Sequence, residues 1–109
     1  MNFGKGYDNT YIVNQTEENE LSLCARCVSP KTGNVMECYT TQPGVQLYTG
    51  NWMTGNFEGK NGQRYPARAA LCLETQHFPD SPNKPEYPST VLRPGEVFES
   101  KTIYKFSAE

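Results

Sequence analysis

Apolar and polar residues alternate over short runs of this chain, which is the pattern of β-strands rather than of helices. The clearest run is Val45–Thr49, where the alternation is that of a half-buried strand. Leu21–Val28 and Val35–Thr41 are β-prone runs separated by turn-forming residues, so together they predict a hairpin. Less regular runs predict strands at Thr10–Val13 and Glu96–Phe106. No stretch has helical periodicity, and the predicted class is all-β and mainly antiparallel.

The segments between these runs predict loops. Asn14–Glu20 is polar and acidic, with no apolar periodicity. Gly50–Tyr65 contains four glycines and three asparagines and predicts a long loop, and long ordered loops are often functional. Phe78–Pro94 contains five prolines, which exclude both a helix and a central strand. The chain contains no repeat and no linker, so we expect residues 1–109 to belong to a single domain.

The segment Arg68–Gln76, which follows the long loop, contains a candidate catalytic residue. The run Ala70–Leu73 is apolar and predicts a buried strand, which would end on the carboxylate of Glu74. At such a place burial can raise the pKa of a carboxyl group and a fixed backbone can aim it, as a general base requires. The alternative is a solvated glutamate where the strand ends, because most glutamates are exposed.

Composition and charge exclude several classes of protein. The net charge of -2 provides no basic surface for nucleic acid. No apolar run is long enough to span a bilayer, and Met1–Gly6 lacks the apolar segment of a signal peptide. We therefore expect a cytoplasmic protein that binds neither nucleic acid nor membranes.

The four cysteines raise the question of a metal site. Cys24 and Cys27 form a CxxC pair, which is typical of zinc and redox sites. They fall within a predicted strand, however, where residues i and i+3 point to opposite faces. No second pair of ligands completes a zinc site. The sequence therefore predicts free, mostly buried thiols and no metal.

Several motifs resemble those of one family, in order and at similar spacing over nearly the whole chain. Thr41–Asn51, with the sequence TQPGVQLYTGN, resembles the signature strand of the aldose 1-epimerases, also called galactose mutarotases. Cys72–Gln76 with Phe78–Asp80 resembles the segment that carries this family's catalytic base. The other similar segments are Gly6–Asn9, with Asn9 where histidine is usual, Gly59–Gly62 with Tyr65–Pro66, Tyr87–Pro88, and Leu92–Glu96.

This resemblance implies a fold and a set of site residues. The implied fold is part of a galactose mutarotase-like β-supersandwich, and because family members are much longer, the chain resembles their C-terminal portion. The resemblance assigns the catalytic base to Glu74, and it assigns hydrogen bonds to sugar hydroxyls to Asp8 and Gln46. Trp52 and Tyr48 are candidates for walls against an apolar sugar face, with packing in the core or a loop as the alternative.

The general acid has no counterpart in the chain. In the family it is a histidine on an upstream segment, and neither it nor a second site histidine and an arginine has a matching position here. The only histidine, His77, comes just after the base, where the family does not place its acid. We therefore do not assign it that role and expect a loop histidine beside Phe78.

The implied reaction interconverts the α- and β-anomers of a free hexose such as galactose or glucose. A base removes the proton of the anomeric hydroxyl while an acid protonates the ring oxygen, and the opened ring closes on its other face. Only protons and one ring bond change, so no cofactor is expected. The sequence leaves two further readings open: a non-catalytic carbohydrate-binding module, or an inert fragment that lacks the acid. Strands cut from a larger sandwich would also expose edges, so we expect self-association.

Overall fold

A computed structural model describes residues 5–109 of the chain. Residues 1–4 lie outside the described residues. They include most of Met1–Gly6, the segment in which the sequence shows no signal peptide. The strands are β1 (Asp8–Ile12), β2 (Ser22–Val28), β3 (Asn34–Thr40), β4 (Gly44–Tyr48), β5 (Thr54–Glu58), β6 (Arg64–Pro66), β7 (Cys72–Gln76) and β8 (Thr102–Ala108). The helical elements of this part of the chain are two short 3-10 turns, at Lys60–Gly62 and Ser81–Asn83.

The strands form three antiparallel sheets. The first sheet has the order β1-β4-β7, the second has the order β2-β3-β8, and β5 pairs with β6 in a separate hairpin. The predicted all-β, antiparallel class is therefore confirmed. The hairpin predicted from the runs at Leu21–Val28 and Val35–Thr41 is also confirmed, as β2 and β3.

The core lies between the two three-stranded sheets and is small. Its buried cluster consists of Val13, Cys38, Val45 and Leu73. Hydroxyl groups also join the sheets: Tyr104 of β8 donates a hydrogen bond of 2.6 Å to the backbone oxygen of Leu73. Because neighbouring residues on a strand point to opposite faces, burial of Val45 and Leu73 turns Gln46 and Glu74 away from the core.

Three predicted elements differ from the structure. Gly50–Tyr65 is not one open loop, because it contains β5 and the beginning of the β5–β6 hairpin. The last strand begins at Thr102 rather than at Glu96. The apolar run Ala70–Leu73 is not a buried strand, since Ala70, Leu71 and Cys72 are exposed and only Leu73 is buried. The proline-rich segment is irregular apart from its one 3-10 turn, as predicted.

A bulge in β2 changes the expected orientation of the CxxC cysteines. The register between β2 and β3 shifts between Leu23 and Ala25, which leaves Cys24 as the extra residue. As a result Cys24 and Cys27 both pack against the core, so the prediction that they point to opposite faces was wrong. All four cysteines are free thiols, but the expectation that they are mostly buried was wrong: Cys38 is fully buried, Cys24 and Cys27 are half-buried, and Cys72 is exposed.

Candidate functional site

A row of polar side chains crosses the solvent-facing side of the sheet β1-β4-β7. Thr10 of β1 is paired with Gln46 of β4, and Gln46 is paired with Glu74 of β7. Directly paired residues project from the same face of an antiparallel sheet, with about 5 Å between their Cβ atoms. Asp8 precedes Thr10 by two residues and therefore points to this face as well.

Hydrogen bonds hold part of this row in place. The Gln46 amide Nε2 donates to Asp8 Oδ1 over 2.7 Å. The Gln46 amide oxygen accepts a hydrogen bond from the Thr10 hydroxyl, so both ends of the amide are used. The glutamine side chain is thereby fixed between two residues of β1, and its position on the central strand places it beside Glu74.

The structure brings together the three residues that the sequence assigned to the site, Asp8, Gln46 and Glu74. Glu74 lies in the middle of β7, not at its end, and it is exposed, which agrees with the alternative of a solvated glutamate and not with a partly buried carboxylate. Asp8 is also exposed. The two carboxylates stand on opposite sides of Gln46: their strands are roughly 10 Å apart at the usual strand spacing, and Asp8 lies two residues further along, opposite Tyr48. Both remain accessible to a small molecule that lies over Gln46.

Two aromatic residues border the row. Tyr48 follows Gln46 by two residues on β4, is paired with Asp8, and is half-buried. Its hydroxyl oxygen accepts a hydrogen bond of 3.2 Å from the backbone N–H of Trp52. The Trp52 ring is 67% exposed, with the Lys5 ammonium 4.5 Å from its centre, so Trp52 is not part of the core.

His77 lies outside this row. It follows the end of β7 and is half-buried in a hollow whose other lining residues include Glu18, Pro43 and Tyr87. The ring of its neighbour Phe78 packs edge-on against Tyr87. His77 is thus a residue of the loop beside Phe78, as expected from the sequence.

The sequence did not single out Thr10 or the residues that hold the start of β1. Thr10 could have been found from its period-two spacing to Asp8, which places the two side chains on one face once the strand is recognised. Among residues 5–109, no three His, Cys, Asp or Glu side chains are grouped so that they could hold a metal ion. Within the same part of the chain, no helix is long and apolar enough to cross a membrane.

Comparison with known proteins identifies the family. The sequence model of the aldose 1-epimerases matches residues 1–105. The chain belongs to the aldose 1-epimerase family. It is 47% identical to mouse galactose mutarotase over 102 residues, which are 94% of this chain and 29% of that protein. It is 36% identical to the aldose 1-epimerase of Escherichia coli K12 over 107 residues, which are 96% of this chain and 30% of the bacterial protein.

The fold is that of the same family. The crystal structure of an aldose epimerase homologue from C. elegans superposes with a TM-score of 0.81 at 29% sequence identity. The match covers 94% of this chain and 30% of the C. elegans chain. The antiparallel sheets are therefore part of a galactose mutarotase-like β-supersandwich, as the motifs implied. The chain spans about three tenths of the length of the relatives that it matches.

Proposed function

We propose that this chain supplies the base side of an aldose 1-epimerase site, and that Glu74 is the general base. In this role Glu74 removes the proton of the anomeric hydroxyl of a free hexose, and the ring opens as an acid protonates the ring oxygen. Rotation about the C1–C2 bond and closure of the ring on the other face complete the exchange of anomers. Each step moves protons and one ring bond, and the proposal includes no cofactor.

The observation that carries the proposal is the pairing of Glu74 with Gln46, whose amide donates to Asp8, on one exposed face. Sugar hydroxyls bind to hydrogen-bond donors and acceptors in fixed positions. This row offers two carboxylates, with the hydrogen-bonded side-chain amide of Gln46 between them. We assign to Asp8 and Gln46 the binding of hexose hydroxyls, so that the anomeric carbon lies at Glu74. Tyr48 and Trp52 stand beside the row, where an apolar sugar face could pack.

The proposal assigns no acid to this chain. His77 is its only histidine and lies beyond the end of β7, in a hollow separate from the polar row. Loss of a general acid typically lowers the rate about 100- to 10,000-fold, since water replaces it poorly. We therefore propose that the chain alone binds hexoses weakly and turns them over slowly.

A non-catalytic carbohydrate-binding module is the second candidate. It is favoured by the single histidine, His77, which lies away from the row and leaves these residues without an assigned acid. In this case the same row, Asp8, Gln46 and Glu74, would bind a hexose without opening its ring. An inert fragment, the remaining hypothesis from the sequence, would neither bind a hexose nor open its ring.

One experiment separates these functions. The chain is titrated with D-galactose and D-glucose by NMR, and the optical rotation of freshly dissolved α-anomers is followed in the same buffer with and without protein. Decay faster than the buffer blank, together with binding, supports the epimerase proposal. Saturable binding with blank-level decay supports the binding module, and the absence of both would leave only the inert fragment.

A further inference from the structure

Asn51 is buried beside the beginning of β1, although it is polar and lies in a turn. Only 8% of its surface is exposed. Both ends of its amide are used: Nδ2 donates to the backbone oxygen of Tyr7 over 2.8 Å, and Oδ1 accepts from the Thr49 hydroxyl over 2.7 Å. A buried amide that is hydrogen-bonded at both its nitrogen and its oxygen is a rigid connection, because breaking one bond leaves a polar group without a partner.

Thr49 completes the connection on the other side of Tyr7. Its hydroxyl oxygen accepts a hydrogen bond of 3.0 Å from the backbone N–H of Tyr7. Its own N–H donates to the Tyr7 backbone oxygen over 3.1 Å. Thr49 and Asn51 therefore hold both polar groups of one peptide residue, and we name this group of three residues, Tyr7, Thr49 and Asn51, the Tyr7 clasp.

The residue before the clasp is shaped to allow it. Gly6 has a φ of +149°, which side chains disfavour, and a Cβ at this position would overlap the side-chain oxygen of Asn51. Only glycine lets the backbone approach the Asn51 amide so closely.

The Tyr7 clasp lies directly before Asp8, a site residue that apolar packing does not hold in position. Asp8 is the first residue of β1, an edge strand in which four of five residues are exposed. Ile12, at the other end of the strand, is 75% exposed. With little buried apolar surface on β1, Asp8 is held by the pairing of β1 with β4 and by polar contacts at the start of the strand. The clasp provides them at the preceding residue.

We propose that Asn51 is a positioning residue of the hexose site, which acts through Tyr7 to hold Asp8 against Gln46. The proposal rests on the proposed function, since it takes Asp8 to bind sugar hydroxyls. Asn51 itself does not touch the sugar. Its role is to keep the Asp8 carboxylate 2.7 Å from the Gln46 amide before the sugar arrives, so that binding requires no ordering of the strand end.

The central variant is Asn51→Asp, which keeps the shape and the acceptor for Thr49 but places an oxygen against the Tyr7 carbonyl. Asn56→Asp makes the same change at an exposed position of β5 and serves as the matched control.

A second pair of variants tests the same contact through Thr49, so that the proposal remains testable if Asn51→Asp does not fold. Thr49→Val removes the acceptor of the Tyr7 N–H at nearly constant volume, and Thr49→Ser retains it. Each protein is titrated with D-galactose by NMR, and amide hydrogen exchange is measured at Tyr7, along β1 and along β3.

We expect Asn51→Asp and Thr49→Val to weaken galactose binding about 10-fold, the loss that corresponds to one good hydrogen bond. Exchange at Tyr7 and in β1 should accelerate while β3 stays protected. Thr49→Ser and Asn56→Asp should bind as the unsubstituted chain does. In an Asp8→Ala background Asn51→Asp should have less than about a twofold further effect, because residues that act through one another are not additive.

Three results would overturn the positioning role. The first is unchanged galactose affinity in Asn51→Asp despite faster exchange at Tyr7. The second is an equal loss of affinity with and without Asp8. The third is faster exchange in β3 as well, in both Asn51→Asp and Thr49→Val, which would make the clasp a requirement of the whole fold. If the unsubstituted chain binds no hexose, the proposed function fails and the role of Asn51 fails with it.

Discussion

At the scale of single residues, Glu74 carries the chemistry that we propose. It stands in the middle of β7 beside Gln46, with its carboxylate exposed. In protein that shows mutarotase activity, we expect Glu74→Gln to lower turnover at least about 100-fold, the usual effect of removing a general base. The amide is nearly the same shape, so folding should be preserved. The measurement is the decay of optical rotation of fresh α-D-galactose.

A matched control for this variant is Glu58→Gln, which makes the same change at an exposed position of the β5–β6 hairpin. It should leave the decay rate within experimental error of the unsubstituted protein. A Glu74→Gln protein that turns galactose over at a near-normal rate would remove Glu74 from the role of base.

The cysteines differ in accessibility, and this difference is measurable. Cys72 is exposed on β7, whereas Cys38 is fully buried in the core. We expect a thiol reagent to modify Cys72 first and Cys38 only on unfolding, and to find four free thiols after denaturation. Elemental analysis should find no stoichiometric zinc. One equivalent of zinc in the purified protein would contradict the assignment of Cys24 and Cys27 as structural thiols.

The pKa of the Cys38 thiol gives a prediction for stability at high pH. Burial, with a smaller contribution from the neighbouring Cys24 thiol, raises the pKa of Cys38 from 9.0 to about 12. The folded protein therefore keeps a proton that the unfolded chain releases at lower pH. Below pH 9 the thiol is protonated in both states, and its burial costs the folded state nothing in protonation. As the pH rises from 9 towards 12, only the unfolded chain gains from releasing the proton, so the free energy of unfolding falls. In urea titrations, Cys38→Ala should show a shallower fall in unfolding free energy over this range.

At the scale of elements, the predicted strand boundaries were wrong where the length of the neighbouring strand limits the pairing. The apolar residues Val97 and Phe98 favour a strand from Glu96, yet β8 begins at Thr102 because its only partner among the described strands, β3, offers seven residues. Val97 and Phe98 stay exposed. β7 is limited to Cys72–Gln76 in the same way, by the five residues of β4. Sequence patterns do not contain this information, because it depends on which strands meet.

The missed β5–β6 hairpin has a different reason. Its glycines and asparagines resemble those of a loop, but several of them occupy positions that a hairpin requires. Asn61 and Gly62 have positive φ values of 55° and 72° in the connection between the strands. Gly55 has a φ of 72°, which side chains rarely adopt, in the irregular part of the pairing between β5 and β6. Composition alone does not separate glycines that form a turn from those that leave the chain unstructured.

The candidate site was more predictable than these boundaries. Motifs resembling one family assigned Asp8, Gln46 and Glu74, and the register of β1, β4 and β7 brings the three together. The exposure of Glu74 agrees with one of the two alternatives that the sequence left open. The Tyr7 clasp was not predictable, because it depends on contacts between residues far apart in the chain.

The link between the two sheets gives a prediction for the core. The Tyr104 hydroxyl of β8 donates to the Leu73 backbone oxygen of β7 over 2.6 Å. Tyr104→Phe removes this bond and leaves the oxygen with one partner fewer, so we expect a loss of about 1 kcal/mol in the free energy of unfolding. Urea denaturation measures it. Tyr11→Phe, on the exposed edge strand β1, should change it by less than about 0.5 kcal/mol.

Across residues 5–109, many large apolar side chains are exposed, whereas the buried core is small. Side chains that are more than half exposed include Ile12, Trp52, Phe57, Val91, Leu92, Val97, Phe98 and Phe106. Each of the two three-stranded sheets also ends in edge strands: β1 and β7 in the first, and β2 and β8 in the second. Unpaired edges bind other strands, and apolar surface of this extent favours association between chains.

We therefore expect residues 1–109, when purified alone, to self-associate, to bind hexoses at millimolar concentrations or more weakly, and to have little mutarotase activity. The structural reason is the exposed edges and apolar side chains, and the chemical reason is the absence of an assigned acid. Size-exclusion chromatography with light scattering, run beside polarimetry on the same sample, tests both. A stable monomer with robust activity would contradict both reasons together. The chain would then contain a complete site with a different acid, and His77, its only histidine, would be the first residue to substitute.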